Sequence, residues 1–288
     1  AMQNCCKDDE KRMKDNDCVQ FLQWALPQLH MRWSGFRKVR SQVCKRIERR
    51  IGELQLTDVQ SYRDYLKGRS QEWSLLDKLC RVTISRFYRD KQVFAMLQQE
   101  LLPQVAEQAL ARDEKYLRAW SAGCASGEEP YTLAMLWALG PAASFPDLEL
   151  SILATDSDPH LLIRAHDACY QWGSIKNLPE QWRSAAFSRS DEIYCLHREF
   201  SDQVEFRLHD VRDAIPDGPF HIVLCRNLVF TYFETALQRT FLDNLHQAMH
   251  PQGLLLLGVH ESLPMGKSGF LALSERLGIY QQIPLHNV

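Results

Sequence analysis

Apolar and polar positions divide the chain into two parts. From Asp17 to about Leu79, apolar residues recur at spacings of three and four: Val19, Leu22 and Trp24 to Leu26, then Val39, Val43, Ile47 and Ile51. Such spacing lays one stripe along a helix, and no alternating strand pattern interrupts it. Further helical segments begin at Ser61 and Glu72. A Thr/Ser- and aromatic-rich stretch, Arg81 to Asp90, follows, and a lobe boundary is expected near residues 80–90. Helical periodicity resumes from Lys91 to about Leu110, with Pro103 a break or kink inside it.

Beyond that point strands alternate with helices. Short apolar runs at Leu117–Trp120, Glu149–Thr155, Val204–Leu208, Phe220–Cys225, Leu254–Val259 and Ile279–Ile283 read as strands. Thr235 to Met249 reads as an amphipathic helix ended by Pro251 and Gly253. Tyr170 to Glu199 breaks the alternation, and its short alternating run Ile193–Leu196 marks a small inserted β-subdomain, placed at about 170–203. Alternating strands and helices predict a mainly parallel sheet covered on both faces, with ligands beyond the carboxyl ends of the strands.

The stretch Leu117 to Leu139 carries the first chemical signal. A strand passes through small residues, Ser121 to Gly127, into a helix opened by Glu128, Glu129 and Pro130. This geometry lets backbone approach a nucleotide-like ligand, though it also fits an ordinary βα turn. The glycines are too few for a dinucleotide fingerprint, and no Gly-Lys-Ser/Thr follows. An acid where pyrophosphate wants bare N–H groups favours a ligand without phosphates, and S-adenosylmethionine is such a ligand. Asp156 ends the next strand, where nucleotide-binding α/β folds hold ribose hydroxyls, and Asp158-Pro159 starts the helix after it. Glu129, Asp156, Asp210 and Asn227 all follow strand ends and should converge on one rim.

Composition narrows the picture in a few places. At 288 residues and 45% hydrophobic, the chain can build one large or two modest domains. A net charge of −2 supplies no field selecting nucleic acid. No apolar run approaches the roughly 18 residues of a membrane span, so no membrane insertion is expected. Residues 1–17 are charged and expected to be loose, with Cys5-Cys6 in that tail. Nine scattered cysteines without a CxxC pair suit reduced thiols in a cytoplasmic protein better than disulfides or a metal site. Arg46, Arg49 and Arg50 fall at i, i+3 and i+4, on one helix face. They read either as a solvated face or as a landing strip for an acidic helical partner.

The chain resembles the CheR family of chemotaxis receptor methyltransferases. The likeness runs from about residue 19 to 283. It rests on ISRFYRD, WSAGCASGEEPYTLA, ATDSDPHLLIRA, VEFRLHDV, GPFHIVLCRN with the nearby YF, and HPQGLLLLG, in that order. The resemblance implies an α/β fold: a Rossmann-like class I methyltransferase sheet (81–288), an all-helical N-terminal substrate-recognition domain (18–80) and the inserted β-subdomain. It implies methyl transfer from S-adenosylmethionine to glutamate side chains of a chemoreceptor-like acidic helical protein, leaving S-adenosylhomocysteine. It further implies a cofactor site of Thr83, Ser85, Arg89, Glu129, Asp156, Asp210, Val211, Arg226 and Asn227. Arg89 and Tyr232 take the catalytic positions, and Arg46, Arg49 and Arg50 the substrate-binding ones. Leu228 to Phe233 is one residue longer than the family's usual stretch, so Tyr232 maps through an insertion. The chain is expected to act as a monomer. The other readings are a silent cofactor-binding sensor or interaction module, and a methyltransferase acting on another acidic substrate.

Overall fold

The computed structural model describes residues 13–266 and 269–284. Cys5, Cys6 and most of the tail expected to be loose lie outside the described residues. The end of that tail is corrected: Asp15 to Asp17 open a helix, Asp15–Ala25, with two acids in its first turn. The chain divides into two units, Ala1–Thr83 with Thr231–Glu234, and Ile84–Phe230 with Thr235–Val288.

The described part of the first unit is built from helices Asp15–Ala25, Trp33–Phe36, Arg40–Glu53, Val59–Leu66 and Ser70–Cys80. The apolar stripes bury Phe21, Leu22, Val43, Ile47, Tyr62, Leu66 and Leu76 against one another. Asp58 caps Val59–Leu66 by accepting the Ser61 N–H at 2.7 Å. The segment Thr231–Glu234 returns to this unit. The Arg32 N–H donates to the Tyr232 carbonyl at 2.8 Å, and Met31 bridges Phe233. A Cβ on Gly35 would stand 2.2 Å from the Thr231 carbonyl oxygen, so only glycine permits this approach.

The described part of the second unit contains ten strands: β1 (Tyr116–Ala122), β2 (Glu149–Asp156), β3 (Cys169–Gln171), β4 (Phe187–Ser190), β5 (Ile193–Leu196), β6 (Val204–Leu208), β7 (Phe220–Leu224), β8 (Met249–Leu256), β9 (Phe270–Ser274) and β10 (Ile279–Gln282). Seven form one sheet in the order β6-β2-β1-β7-β8-β10-β9. The first five run parallel, and β10 is antiparallel to β8 and β9. This is a Rossmann-like α/β sheet. Strand β1 lies inside the sheet between β2 and β7 and is buried from Ala119 to Ala122, with the Trp120 indole N–H donating to Thr155 Oγ1 at 3.0 Å. The insert folds as a separate sheet in the order β3-β5-β4. No helix among the described residues is long and apolar enough to cross a membrane.

Three expectations are corrected here. The helix from Thr235 ends at Gln247, and β8 starts at Met249 rather than at Leu254. Its register against β7 jumps from Phe220↔Met249 to Ile222↔Leu254, so Pro251 and Gly253 lie in an irregular part of the strand instead of terminating the helix. Strand β9 escaped the pattern because apolar side chains occupy both its faces, Leu271 standing 53% exposed while Phe270 is buried. Four of the cysteines are paired rather than reduced. Cys18 is bonded to Cys44, and Cys169 to Cys195 across β3 and β5, where the two residues are in register. Neither spacing is a motif; strand and helix packing creates both pairs. Two cystines are unusual for a reducing compartment.

Candidate functional site

Successive strands run outward from β1 in both directions, through β2 to β6 on one side and through β7 to β8 on the other. The order therefore reverses between β1 and β7, and a crevice at their carboxyl ends is where such sheets bind ligands. The loop after β1 turns tightly there. The Gly123 and Cys124 N–H groups donate to the Thr155 carbonyl at 2.8 and 2.9 Å, and the Gly127 N–H donates to the Cys124 carbonyl. Gly127 is left-handed, with φ +91°, and a Cβ would lie 3.0 Å from the Tyr170 hydroxyl. That position requires glycine for both reasons.

Asp156 ties this loop to the end of β2. Its Oδ2 accepts the Ala125 N–H and its Oδ1 the Asp158 N–H, each at 2.9 Å. Ala125 holds φ +52°, a conformation uncommon for a residue with a Cβ. Asp158 then caps the helix Pro159–Asp167 by accepting the His160 N–H. The carboxylate so fixes a loop, a strand end and a helix start together.

Glu129 and Arg226 join the two sides of the crevice. Glu129 Oε1 accepts from Ser121 Oγ at 2.8 Å, and Oε2 lies 3.3 Å from Arg226 Nη1. Burial pushes the Glu129 carboxyl above the usual carboxylate range, against the pull of Arg226 and the Ser121 hydroxyl. The Arg226 guanidinium, its side chain only 2% exposed, also pairs with Asp90 and stands over the Phe94 ring. Asp90 and Arg89 lie on the segment after Ile84, which is anchored by the Tyr88 N–H on Thr132 Oγ1 at 3.1 Å. Arg89 itself donates from Nη1 to the Ile84 carbonyl at 2.9 Å. Asn227 follows Arg226 in a left-handed conformation, φ +56°.

The remaining expected residues are less closely grouped. Ser85 is half-buried on the same segment as Arg89, whereas Thr83 is exposed and belongs to the first unit. Asp210 grips Arg212, accepting its backbone N–H and its guanidinium through Oδ1, at 3.0 and 2.9 Å, and Val211 is half-buried between them. Tyr232 lies in the first unit with its ring 5.0 Å from Phe36. The three arginines of helix Arg40–Glu53 have different surroundings. Arg46 donates to the carbonyls of Leu79 and Arg81 at 3.1 and 2.6 Å. Arg50 pairs with the buried Glu72, which also accepts from the Tyr62 hydroxyl. Arg49 is 70% exposed beside Glu53.

Two groups went unread in the sequence. Glu261 is buried, and its Oε2 accepts the N–H groups of both Asn227 and Gly258 at 2.6 Å, which fixes the turn after β7. At the opposite, amino-terminal rim, Glu114, His221 and His250 bring metal-capable atoms within 4.8 Å of one another. His221 Nδ1 accepts the Arg118 N–H at 3.1 Å, so its Nε2 carries the proton given to Glu114 at 2.6 Å. A ligating histidine needs the reverse, its other nitrogen donating. Arg112, 3.1 Å from the same carboxylate, supplies a cation already. The arrangement is that of a hydrogen-bonded cluster.

The crevice fits S-adenosylmethionine by its donor set. It offers backbone in tight turns and carboxylates outnumbering guanidinium groups, and among the described residues it shows neither the bare N–H cradle nor the lysine of a phosphate site. Comparison with known proteins agrees. The family model for the CheR methyltransferase, SAM binding domain, matches residues 83–277. An uncharacterized 104.1 kDa protein of Rhodobacter capsulatus is 33% identical over 84% of this chain, which spans only 25% of that protein. The chemotaxis protein methyltransferase of Listeria monocytogenes is 30% identical over 70% of this chain and 75% of its own length. The Escherichia coli chemotaxis protein methyltransferase is 30% identical over 77% of each. Among solved structures, the N-methyltransferase NodS of Bradyrhizobium japonicum with S-adenosyl-L-homocysteine matches at 13% identity over 57% of this chain and 64% of that one. Its TM-score of 0.29 is too slight a likeness to support an argument.

Proposed function

Because the chain belongs to the CheR methyltransferase family and its cofactor is S-adenosylmethionine, we propose that it methylates glutamate side chains of a chemoreceptor-like protein, forming methyl esters. The observation that supports this reading most is the joining of the β1 loop, Asp156 and the Glu129–Arg226 pair at the sheet's switch point. Relatives named as chemotaxis protein methyltransferases support the choice of substrate.

In this reading Asp156 accepts the ribose hydroxyls while holding the β1 loop, and Val211 flanks the adenine with Asp210 beside it. Glu129 and Asp90 keep Arg226 neutralised, so the site's net field suits a positively charged ligand. Ser85 and Asn227 complete the cofactor contacts. When bound, S-adenosylmethionine supplies a methyl group already activated by its positive sulfur, which an ionised carboxylate can accept without a general base. The protein's task is then positioning and exclusion of water. Arg89 orients the incoming carboxylate through its planar guanidinium. Of the basic helix, Arg49 is the arginine most exposed to an acidic helical partner, since Arg46 and Arg50 serve carbonyls and Glu72 within their own unit.

Transfer of labelled methyl groups to receptor cytoplasmic fragments tests the proposal. Base-labile label on the fragment is the expected result. Tight cofactor binding with no label on any acidic helical fragment would overturn it in favour of a silent cofactor-binding module.

A further inference from the structure

Tyr170 is a residue to which neither the family likeness nor the cofactor reading assigned a role. It lies on β3 with its side chain 4% exposed. Its hydroxyl donates to the Ser126 carbonyl at 2.7 Å, in the loop between β1 and the helix Glu128–Ala138. The residue four positions on from Ser126 is Pro130, which has no N–H to offer that carbonyl. The hydroxyl also fills the space beside Gly127, where a Cβ would stand 3.0 Å from it. Burial keeps the phenol protonated far above its usual range, so it remains a donor.

The other attachments of Tyr170 lead away from the crevice. Its ring meets Phe87 edge-on, centroids 4.8 Å apart, two residues before Arg89. The Phe87 N–H donates to the Ser174 carbonyl at 3.1 Å, just after β3. Tyr170 pairs with Tyr194 on β5, next to the Cys169–Cys195 bond. One side chain therefore links the small sheet, the Arg89 segment and the β1 loop.

We propose that Tyr170 is a positioning residue that sets cofactor affinity by holding the Ser126–Gly127 peptide, and that it connects the three-stranded sheet to the cofactor site. This rests on assigning the Gly123–Gly127 loop to the cofactor. Tyr170→Phe removes one oxygen and keeps the ring against Phe87. Loss of a single buried hydrogen bond should weaken S-adenosylhomocysteine binding about tenfold in calorimetry. The KM for S-adenosylmethionine should rise by a similar factor, while kcat at saturating cofactor stays within about twofold. Hydrogen exchange should quicken in the peptide spanning the β1 loop and not in the helix Thr235–Gln247, which separates a local effect from loss of the fold. Asp156→Ala serves as the reference. Unchanged affinity in Tyr170→Phe with weakened binding in Asp156→Ala would overturn the role of Tyr170 and leave the site standing. Unchanged affinity in both would overturn the site assignment itself.

Discussion

Replacing Asp156 by asparagine probes the site where its geometry is most constrained. Each carboxylate oxygen accepts one backbone N–H at 2.9 Å, from Ala125 and from Asp158. A carboxylate offers about four acceptor sites, enough to hold these N–H groups and accept from ribose hydroxyls as well. In Asp156→Asn, whichever way the amide is turned, its NH2 faces one of the two N–H groups. One charge-assisted bond is lost outright, and the other becomes a neutral one. Hydrogen bonds to charged groups contribute about 1.5–3 kcal/mol against about 1 for neutral ones, so the folded state should lose on the order of 2–3 kcal/mol. A similar loss on the ribose side lowers cofactor affinity roughly 30- to 100-fold. Urea denaturation and calorimetric titration with S-adenosylhomocysteine measure the two effects separately. A variant that loses stability as expected but binds with wild-type affinity would refute the ribose assignment. One that keeps both would refute the hydrogen-bond reasoning too.

Further outcomes follow from groups away from Asp156. Arg50→Ala should destabilise the helical unit by about 3 kcal/mol, because the buried Glu72 carboxylate loses its bidentate cation while keeping the Tyr62 hydroxyl; Arg49→Ala should leave the melting temperature unchanged and raise the KM for a receptor fragment at low salt. Burial holds the His221 imidazole below its usual range, and burial followed by the neighbouring His221 pushes His250 down to about 4. The folded protein thus stays neutral there while the unfolded chain takes up protons near pH 6.5, so stability is complete above about 6.5 and falls as pH drops toward 4. Between pH 7.5 and 5 the loss from His250 is about 2 kcal/mol, and denaturation curves of His250→Gln should show a flatter pH dependence; an unchanged slope would remove the cluster as its source. Glu261→Ala leaves the Asn227 and Gly258 N–H groups without their acceptor, and a loss on the order of 3 kcal/mol should appear in chemical denaturation.

What could be read in the sequence was whatever depends on neighbours along the chain. The β1–loop–helix run, Asp156 at the end of β2 and the Asp158-Pro159 start are local patterns, and each occurs where the residues predicted it. The unread features depend on strand order. His221 and His250 are 29 positions apart and meet only because β7 and β8 are neighbours, giving ring centroids 4.0 Å apart. Cys169 reaches Cys195 through the β3–β5 register, and Glu261 reaches Asn227 through the adjacency of the same two large-sheet strands. Periodicity places the arginines of Arg40–Glu53 on their helix and puts Arg49 within reach of Glu53, but Leu79 and Arg81, which Arg46 serves, and Glu72, which pairs with Arg50, lie elsewhere in the unit, where periodicity carries no information.

The return of Thr231–Glu234 to the helical unit makes that unit hard to excise. A fragment starting at Ile84 would keep these four residues but lose Arg32, Met31 and Gly35, which pair with or closely face Tyr232, Phe233 and Thr231. A fragment ending at Thr83 would keep those three and lose what they hold. Each half would expose backbone donors or acceptors that the intact chain satisfies. Cutting between Thr83 and Ile84 therefore leaves two incomplete products. A separable helical module would require the peptide Thr231–Glu234 to be supplied in trans, or a circular rearrangement of the chain that keeps it attached.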